Sequence, residues 1–191
     1  MGAGALRPAR IGPNAVLQMI PPLERRIGPV ATAALLKGAG MDAAPDGRSM
    51  IPEAHAAALH RAAASALPRE AEALARESGE ATAAYIVAHR IPRLARVALR
   101  VLPARLGERA LARAIARHAW TFAGSAEFSL RPGPAFELRG NALARPGAGC
   151  TWHAAVFEAL MRTLVSRRLR IEETACEGRG APCCRFELRR C

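Results

Sequence analysis

The sequence predicts an α+β fold in which a helical N-terminal half is followed by a hairpin, a helix and a second hairpin. Three observations carry that prediction. Apolar residues recur at helical spacing from about residue 14 to residue 122, the pattern changes to alternation after Gly124, and two short alternating segments flank a turn at Gly178 and Gly180. Helices that come first, with strands gathered towards the other end, segregate into an α+β arrangement. No internal repeat is evident, and 191 residues suffice for one domain with a sizeable core. The expected organisation is a helical region over residues 1–104 packed on a core domain over residues 105–191.

Residues 1 to 13 are rich in Gly, Pro and Arg and read as a mobile lead-in. Asn14 is placed to cap a helix carrying Val16, Leu17 and Ile20, with Pro21 and Pro22 expected to interrupt it before a second stretch from Leu23 to Lys37. A loop over residues 38–50 precedes helical patterns at about 52–67 and 69–90, with Pro52 and Pro68 near their starts, where a missing amide hydrogen costs little. From Pro92 to Leu102 the apolar residues Leu94, Val97 and Val101 oppose Arg93, Arg96 and Arg100 in a short amphipathic helix. Such a helix can rest on an anionic membrane surface, or its arginines can form a solvated face over a packed one.

The helix expected over about 105–122 sets Arg109, Arg113 and Arg117 on one face and Leu111, Ile115, His118 and Phe122 on another, so His118 is expected to point with the apolar stripe. Phe128 and Leu130, then Phe136 and Leu138 beyond Arg-Pro-Gly-Pro, share parity and read as a β-hairpin. A loop from Gly140 to Gly149 leads to a helix over about 150–165 with His153, Val156, Phe157, Leu160 and Leu164 on its inner face. Strands at about 167–175 and 183–190 complete the chain.

The formal net charge is +12, and every basic residue except Lys37 is Arg, whereas Asp occurs only at positions 42 and 46. A basic field concentrates anions of any kind, whether nucleic acid, anionic lipid or a carboxylated small molecule. No interleaved aromatic and basic platform and no zinc-finger spacing supports nucleic acid, so none is expected as a partner. No apolar run approaches a membrane span and the N-terminus lacks a signal-peptide pattern, which predicts a cytoplasmic protein, with peripheral contact at a photosynthetic membrane left open by the basic helix. The cysteines Cys150, Cys176, Cys183, Cys184 and Cys191 all lie in the last quarter. In a reducing compartment an odd number points to metal ligation or burial rather than a disulfide framework.

Along the last strand Cys184 shares parity with Phe186 and Leu188, while Cys183 shares it with Arg185 and Glu187, so Cys184 is expected to face inward and Cys183 outward. Glu173 falls with Leu169 and Ile171, which turns its carboxylate towards apolar surroundings, a costly placement without a partner. Zinc would satisfy an inward carboxylate beside inward thiols, with Cys150 at a helix start as a further ligand. The alternative is buried, inert cysteines and a Glu173 hydrogen-bonded to a turn.

The pattern Glu173-x-x-Cys176-x-Gly178-x(5)-Cys184-x-Phe186, with the preceding hairpin, Asn141 and Cys150, resembles the 4-vinyl reductase domain family over roughly residues 105–190. The longer N-terminal half, with its helix ending His118-Ala-Trp120-Thr-Phe122-Ala-Gly124, resembles a member of that family from bacteriochlorophyll biosynthesis, long labelled a reductase. The resemblance implies zinc bound by Cys150, Glu173, Cys176 and Cys184, with a ligand pocket close by. It also implies the fold shared with the small TRAPP trafficking subunits, and a homodimer.

Reducing a vinyl group requires a nicotinamide, flavin or iron-sulfur donor. Gly38-Ala39-Gly40 and Gly147-Ala148-Gly149 are isolated triplets rather than a G-x-G-x-x-G after a strand, and no iron-sulfur spacing is present. The function expected is therefore a tetrapyrrole-binding carrier or accessory protein that presents porphyrin or chlorophyllide intermediates to pathway enzymes. An 8-vinyl reductase with an external reductant and a small-molecule sensor or interaction module are the alternatives. His118, with His153 in reserve, would approach the metal of a magnesium tetrapyrrole, and Trp120 and Phe122 would stack on its ring. For each of the four, a place in the core is the competing reading.

Overall fold

The structure is a computed structural model and describes residues 9–190. Its elements follow the order β1 (Arg10–Ile11), α1 (Asn14–Leu17), α2 (Ile20–Gly38), β2 (Ile51–Pro52), α3 (Glu53–Ala66), α4 (Ala71–His89), α5 (Arg93–Val101), α6 (Ala104–Arg117), β3 (Glu127–Arg131), β4 (Ala135–Arg139), α7 (Thr151–Leu164), β5 (Leu169–Ala175) and β6 (Cys184–Arg190). The α+β class and the succession of hairpin, helix and hairpin match the periodicities of the sequence. One antiparallel sheet in the order β3-β4-β6-β5 carries the C-terminal half, and a small β1-β2 ribbon closes the helical side.

Register follows side-chain parity. Phe128 stands opposite Leu138 and Leu130 opposite Phe136, and Phe136 and Leu138 in turn face Phe186 and Cys184. The sheet buries this apolar face under α7. The chain has five phenylalanines, and all of them, Phe122, Phe128, Phe136, Phe157 and Phe186, form one interlocked group in which Phe136 and Phe157 lie 4.7 Å apart between ring centroids. The opposite sheet face is ionic. Glu137, buried there, receives Arg131 and Arg185 at 2.8 Å each, and the Arg131 hydrogen bond is the main cause holding its carboxyl below the usual range.

The helical half lies on the other side of α7. Helix α4 packs across it at Gly79, where a Cβ would come within 2.6 Å of the Trp152 carbonyl oxygen and 2.8 Å of the Ala155 Cβ. Buried carboxylates lock the remaining elements: Glu108 of α6 accepts from Arg190 of β6 at 2.8 Å, and Glu158 of α7 accepts from the Ile171 amide of β5 at 2.9 Å.

Several expectations need correction. Residues 9–13 are not a free lead-in, since Arg10 and Ile11 pair with Pro52 and Ile51 and Ile11 is buried; residues 1–8 lie outside the described chain. Pro21 and Pro22 start α2 instead of interrupting a helix, because a first-turn amide has no helical acceptor to lose. The break falls at Gly28, whose φ of 78° is open to glycine, just before Pro29. Helix α6 stops at Arg117, and a 3-10 turn at Ala119–Thr121 carries the rest of the expected span.

Replacing Gly79 by Ala sets two effects against each other. Helix propensity favours Ala by roughly 1 kcal/mol, whereas forcing a methyl into a packed interface costs about 1–3 kcal/mol. The Trp152 contact is with backbone, which yields least, so Gly79→Ala should lower the urea-unfolding free energy. Unchanged or increased stability would contradict this close packing.

Candidate metal centre

Three segments deliver the cysteines. Cys150 is the residue before α7, Cys176 follows the end of β5, and Cys184 opens β6. The 3-10 turn at Glu177–Arg179 folds the last two back on one another, and the Gly147 amide donates to the Gly178 carbonyl at 2.6 Å, binding the loop before α7 to the same turn. Gly178 permits this approach, because a Cβ there would collide with the Arg145 and Ala148 carbonyl oxygens.

The three sulfurs are mutually close: Cys150 Sγ lies 3.1 Å from Cys184 Sγ and 3.3 Å from Cys176 Sγ, and Cys176 and Cys184 are 3.9 Å apart. These separations are far longer than a disulfide bond. Four ligands at the zinc–sulfur distance of ~2.3 Å in a tetrahedron would stand about 3.8 Å from one another, so the triangle is close to a zinc-thiolate face. All three residues are buried. The hydrogen bond from Cys150, with further donation from the Glu177 amide and the Asn141 side chain, pulls the Cys184 thiol down to about 6 in spite of burial. The same bond to Cys184, together with burial, pushes Cys150 up, and burial raises Cys176. A neutral cluster of this kind holds one thiolate; a cation would allow all three.

Glu173 adjoins this triangle without joining its sulfurs. One carboxylate oxygen accepts the Cys150 amide at 2.6 Å and the other accepts Arg179 Nη2 at 2.9 Å. The carboxylate thus serves the start of α7, where backbone donors lack helical partners. Asn141 enters the sequence pattern by its place alone. In the fold it is buried and aims its Nδ2 at Cys150 Sγ, 3.3 Å away, and at Cys184 Sγ, 3.7 Å away, while its Oδ1 accepts the Leu143 amide. Glu177 holds the Gly140 and Asn141 amides at 2.7 and 2.8 Å and so positions that side chain. No periodicity reveals these two, since both act from turns. Cys183, expected to face outward, is buried. It precedes β6, where strand alternation no longer applies.

The four proposed ring-binding residues divide. His153 is buried with its Nε2 3.4 Å from the Phe122 carbonyl oxygen, and its ring lies 6.3 Å from that of Phe122 and 4.9 Å from that of Trp152. His118 and Trp120 are exposed instead, Trp120 to 60%. The early end of α6 explains this, because His118 is the cap and not a member of the buried stripe. Its Nδ1–H donates to the Ala114 carbonyl at 2.9 Å, which leaves Nε2 with the free lone pair. On the helical side a niche lined by Met19, His60, Leu74 and Arg145 spans about 210 Å³ including open solvent, below the ~300–1,000 Å³ of small-molecule pockets.

The 4-vinyl reductase domain family matches residues 142–190, the segment that contains the three sulfurs. The chain is 48% identical over 185 residues to the bacteriochlorophyll synthase 23 kDa chain of Cereibacter sphaeroides, covering 94% of this chain and 90% of that protein. It is 44% identical to the protein of the same name from Rhodobacter capsulatus, covering 91% and 84%. Among solved structures, an H-NOX protein from S. oneidensis in the Fe(II)NO ligation state superposes with a TM-score of 0.59 at 12% identity, covering 95% of this chain and 99% of that one. A mutant H-NOX protein from K. algicida in the Fe(II) unliganded state gives 0.62 at 11% identity, covering 95% and 97%. At such identities the likeness concerns the fold alone.

Burial pushes His60 and His153 each down to about 4, against an unfolded value near 6.5. The unfolded chain therefore takes up protons first as pH falls, so the stability due to each neutral imidazole is complete above about 6.5 and is lost as pH drops towards 4. Between pH 7 and 5 the loss should be about 2 kcal/mol per histidine, read from urea unfolding. His60→Gln should flatten the slope by roughly half, because Gln keeps a donor for the Ala15 carbonyl that His60 Nε2 contacts at 2.9 Å. A slope unaltered by that substitution would remove His60 as a source of the pH dependence.

Proposed function

The chain belongs to the family of the bacteriochlorophyll synthase 23 kDa chain and carries a 4-vinyl reductase domain, and from that premise we propose that it is a tetrapyrrole-binding carrier or accessory protein of bacteriochlorophyll biosynthesis. The observation that carries the proposal is the 48% identity extending over 94% of the chain. In this role a cytoplasmic homodimer delivers porphyrin or chlorophyllide intermediates to pathway enzymes.

His118 is the imidazole best prepared to meet a magnesium tetrapyrrole. Its Nδ1–H is fixed on a backbone carbonyl and its Nε2 is free, the arrangement that orients histidine ligands in metal sites. Trp120 offers an exposed ring two residues away for stacking on a macrocycle. His153 and Phe122 belong to the packed aromatic group and support the site from within. Zinc, the metal this reading assigns to the cysteine cluster, would be held by Cys150, Cys176 and Cys184 with Glu173 as fourth ligand, tying the start of α7 to the C-terminal hairpin in a structural role.

Incubated with divinyl protochlorophyllide, with and without NADPH, the protein should shift the pigment's absorbance and leave its mass unchanged. A product two hydrogens heavier would replace the carrier by the reductase. His118→Ala should weaken a magnesium chlorin roughly tenfold more than its metal-free analogue, corresponding to about 1.4 kcal/mol of coordination. An unchanged preference for magnesium in that variant would end the axial-ligand assignment.

The metal assignment has its own readout. Protein purified without chelator should contain equimolar zinc, and chelation should lower its Tm. Cys184→Ser should lose the metal while Cys183→Ser keeps it, as Cys183 is not among the three clustered sulfurs. Metal-free protein that chelator does not affect would leave the cluster as buried thiols.

A further inference from the structure

Helix α5 turns its apolar side outward. Leu94, Val97 and Val101, spaced to share one face, are 85%, 57% and 75% exposed, and no residue of the helix is fully buried. The inner side is held by little: Leu99 packs against the core, its carbonyl oxygen lies 3.2 Å from where a Gly107 Cβ would stand, and Arg100 Nε donates to the Thr163 carbonyl at 3.4 Å. Of the two arrangements open to this sequence, a solvated basic face over a packed apolar one is therefore not the one formed. Leu102 and Leu106, partly exposed, extend the apolar strip into the start of α6.

The surrounding charge is of one sign. Between Glu80 and Glu108 the chain has no acidic residue, while Arg90, Arg93, Arg96, Arg100 and Arg105 all fall in that interval. Among the described residues none of these five takes part in a salt bridge, and Glu108 is buried on Arg190. An apolar edge flanked by unneutralised guanidinium groups complements the boundary of an anionic bilayer, where acyl chains lie beneath phosphate oxygens. A second copy of α5 is a poor occupant, because antiparallel pairing would set one arginine row against another.

We propose that α5 is a membrane-docking element, with Leu94, Val97 and Val101 entering the interface of an anionic bilayer and the flanking arginines engaging lipid phosphates. The element is independent of which ligand the protein carries. Near an anionic leaflet each arginine contributes roughly fivefold to affinity, an attraction screened by salt beyond a Debye length.

Flotation of the full chain with phosphatidylcholine vesicles, with and without phosphatidylglycerol, tests this. Binding should require phosphatidylglycerol and weaken at high salt. The triple variant L94S/V97S/V101S, altered only at exposed positions, should bind roughly tenfold or more weakly, with an unchanged circular dichroism spectrum. R93E/R105E should abolish binding independently, which protects the test should the triple variant fail to fold. Equal binding to neutral vesicles, undiminished binding by either variant, or sedimentation showing a wild-type oligomer that the triple variant dissolves would overturn the proposal, the last in favour of a self-association surface.

Discussion

The approach of α4 to α7 at Gly79 sets the geometry on which the rest of the molecule depends. With no Cβ at that point, the helical half comes against the backbone of Trp152 and the methyl group of Ala155. Helix α7 is thereby fixed from one side, and its other side is fixed by Phe157 within the aromatic group on the sheet. A helix held on both faces has a defined starting point. Cys150 stands there, so the separation of the three sulfurs is set by packing outside the cluster.

The cluster is an electrostatic problem solved in part by turns. Three buried sulfurs at 3.1 to 3.9 Å cannot all carry charge without a cation. Asn141 and the Glu177 amide donate to Cys184, and Glu173 occupies the Cys150 amide that would otherwise compete as a donor. The polar atoms around the sulfurs are consequently engaged with backbone or with each other, which keeps the thiols as the free valence of the site.

Charge is distributed unevenly over the molecule. Carboxylates such as Glu137, Glu172, Glu187 and Glu108 are consumed by arginines on or beside the sheet. With 16 acidic against 28 basic residues, arginines are left over, and a run of them falls on α5 and its flanks, where no carboxylate intervenes. Part of the excess recorded in the composition is therefore a property of one surface, and it coincides with the apolar edge.

The sequence by itself determined the element types and the strand parity, because hydrophobic period is local: Phe128, Phe136 and Phe186 alternate whatever surrounds them. It also marked Cys150, Cys176, Cys184 and Glu173 as neighbours through their spacing and family likeness. Only the tertiary structure decided how these groups are used. Periodicity assigned His118 to the apolar stripe, but α6 ends one residue earlier and turns the ring outward. It could not tell which side of α5 is covered, since both the apolar and the arginine faces satisfy the same moment and only the Leu99 contact with the core selects between them. Asn141 and Glu177 act from turns, where no repeating pattern exists, and their role follows from long-range approaches that only the folded chain brings about.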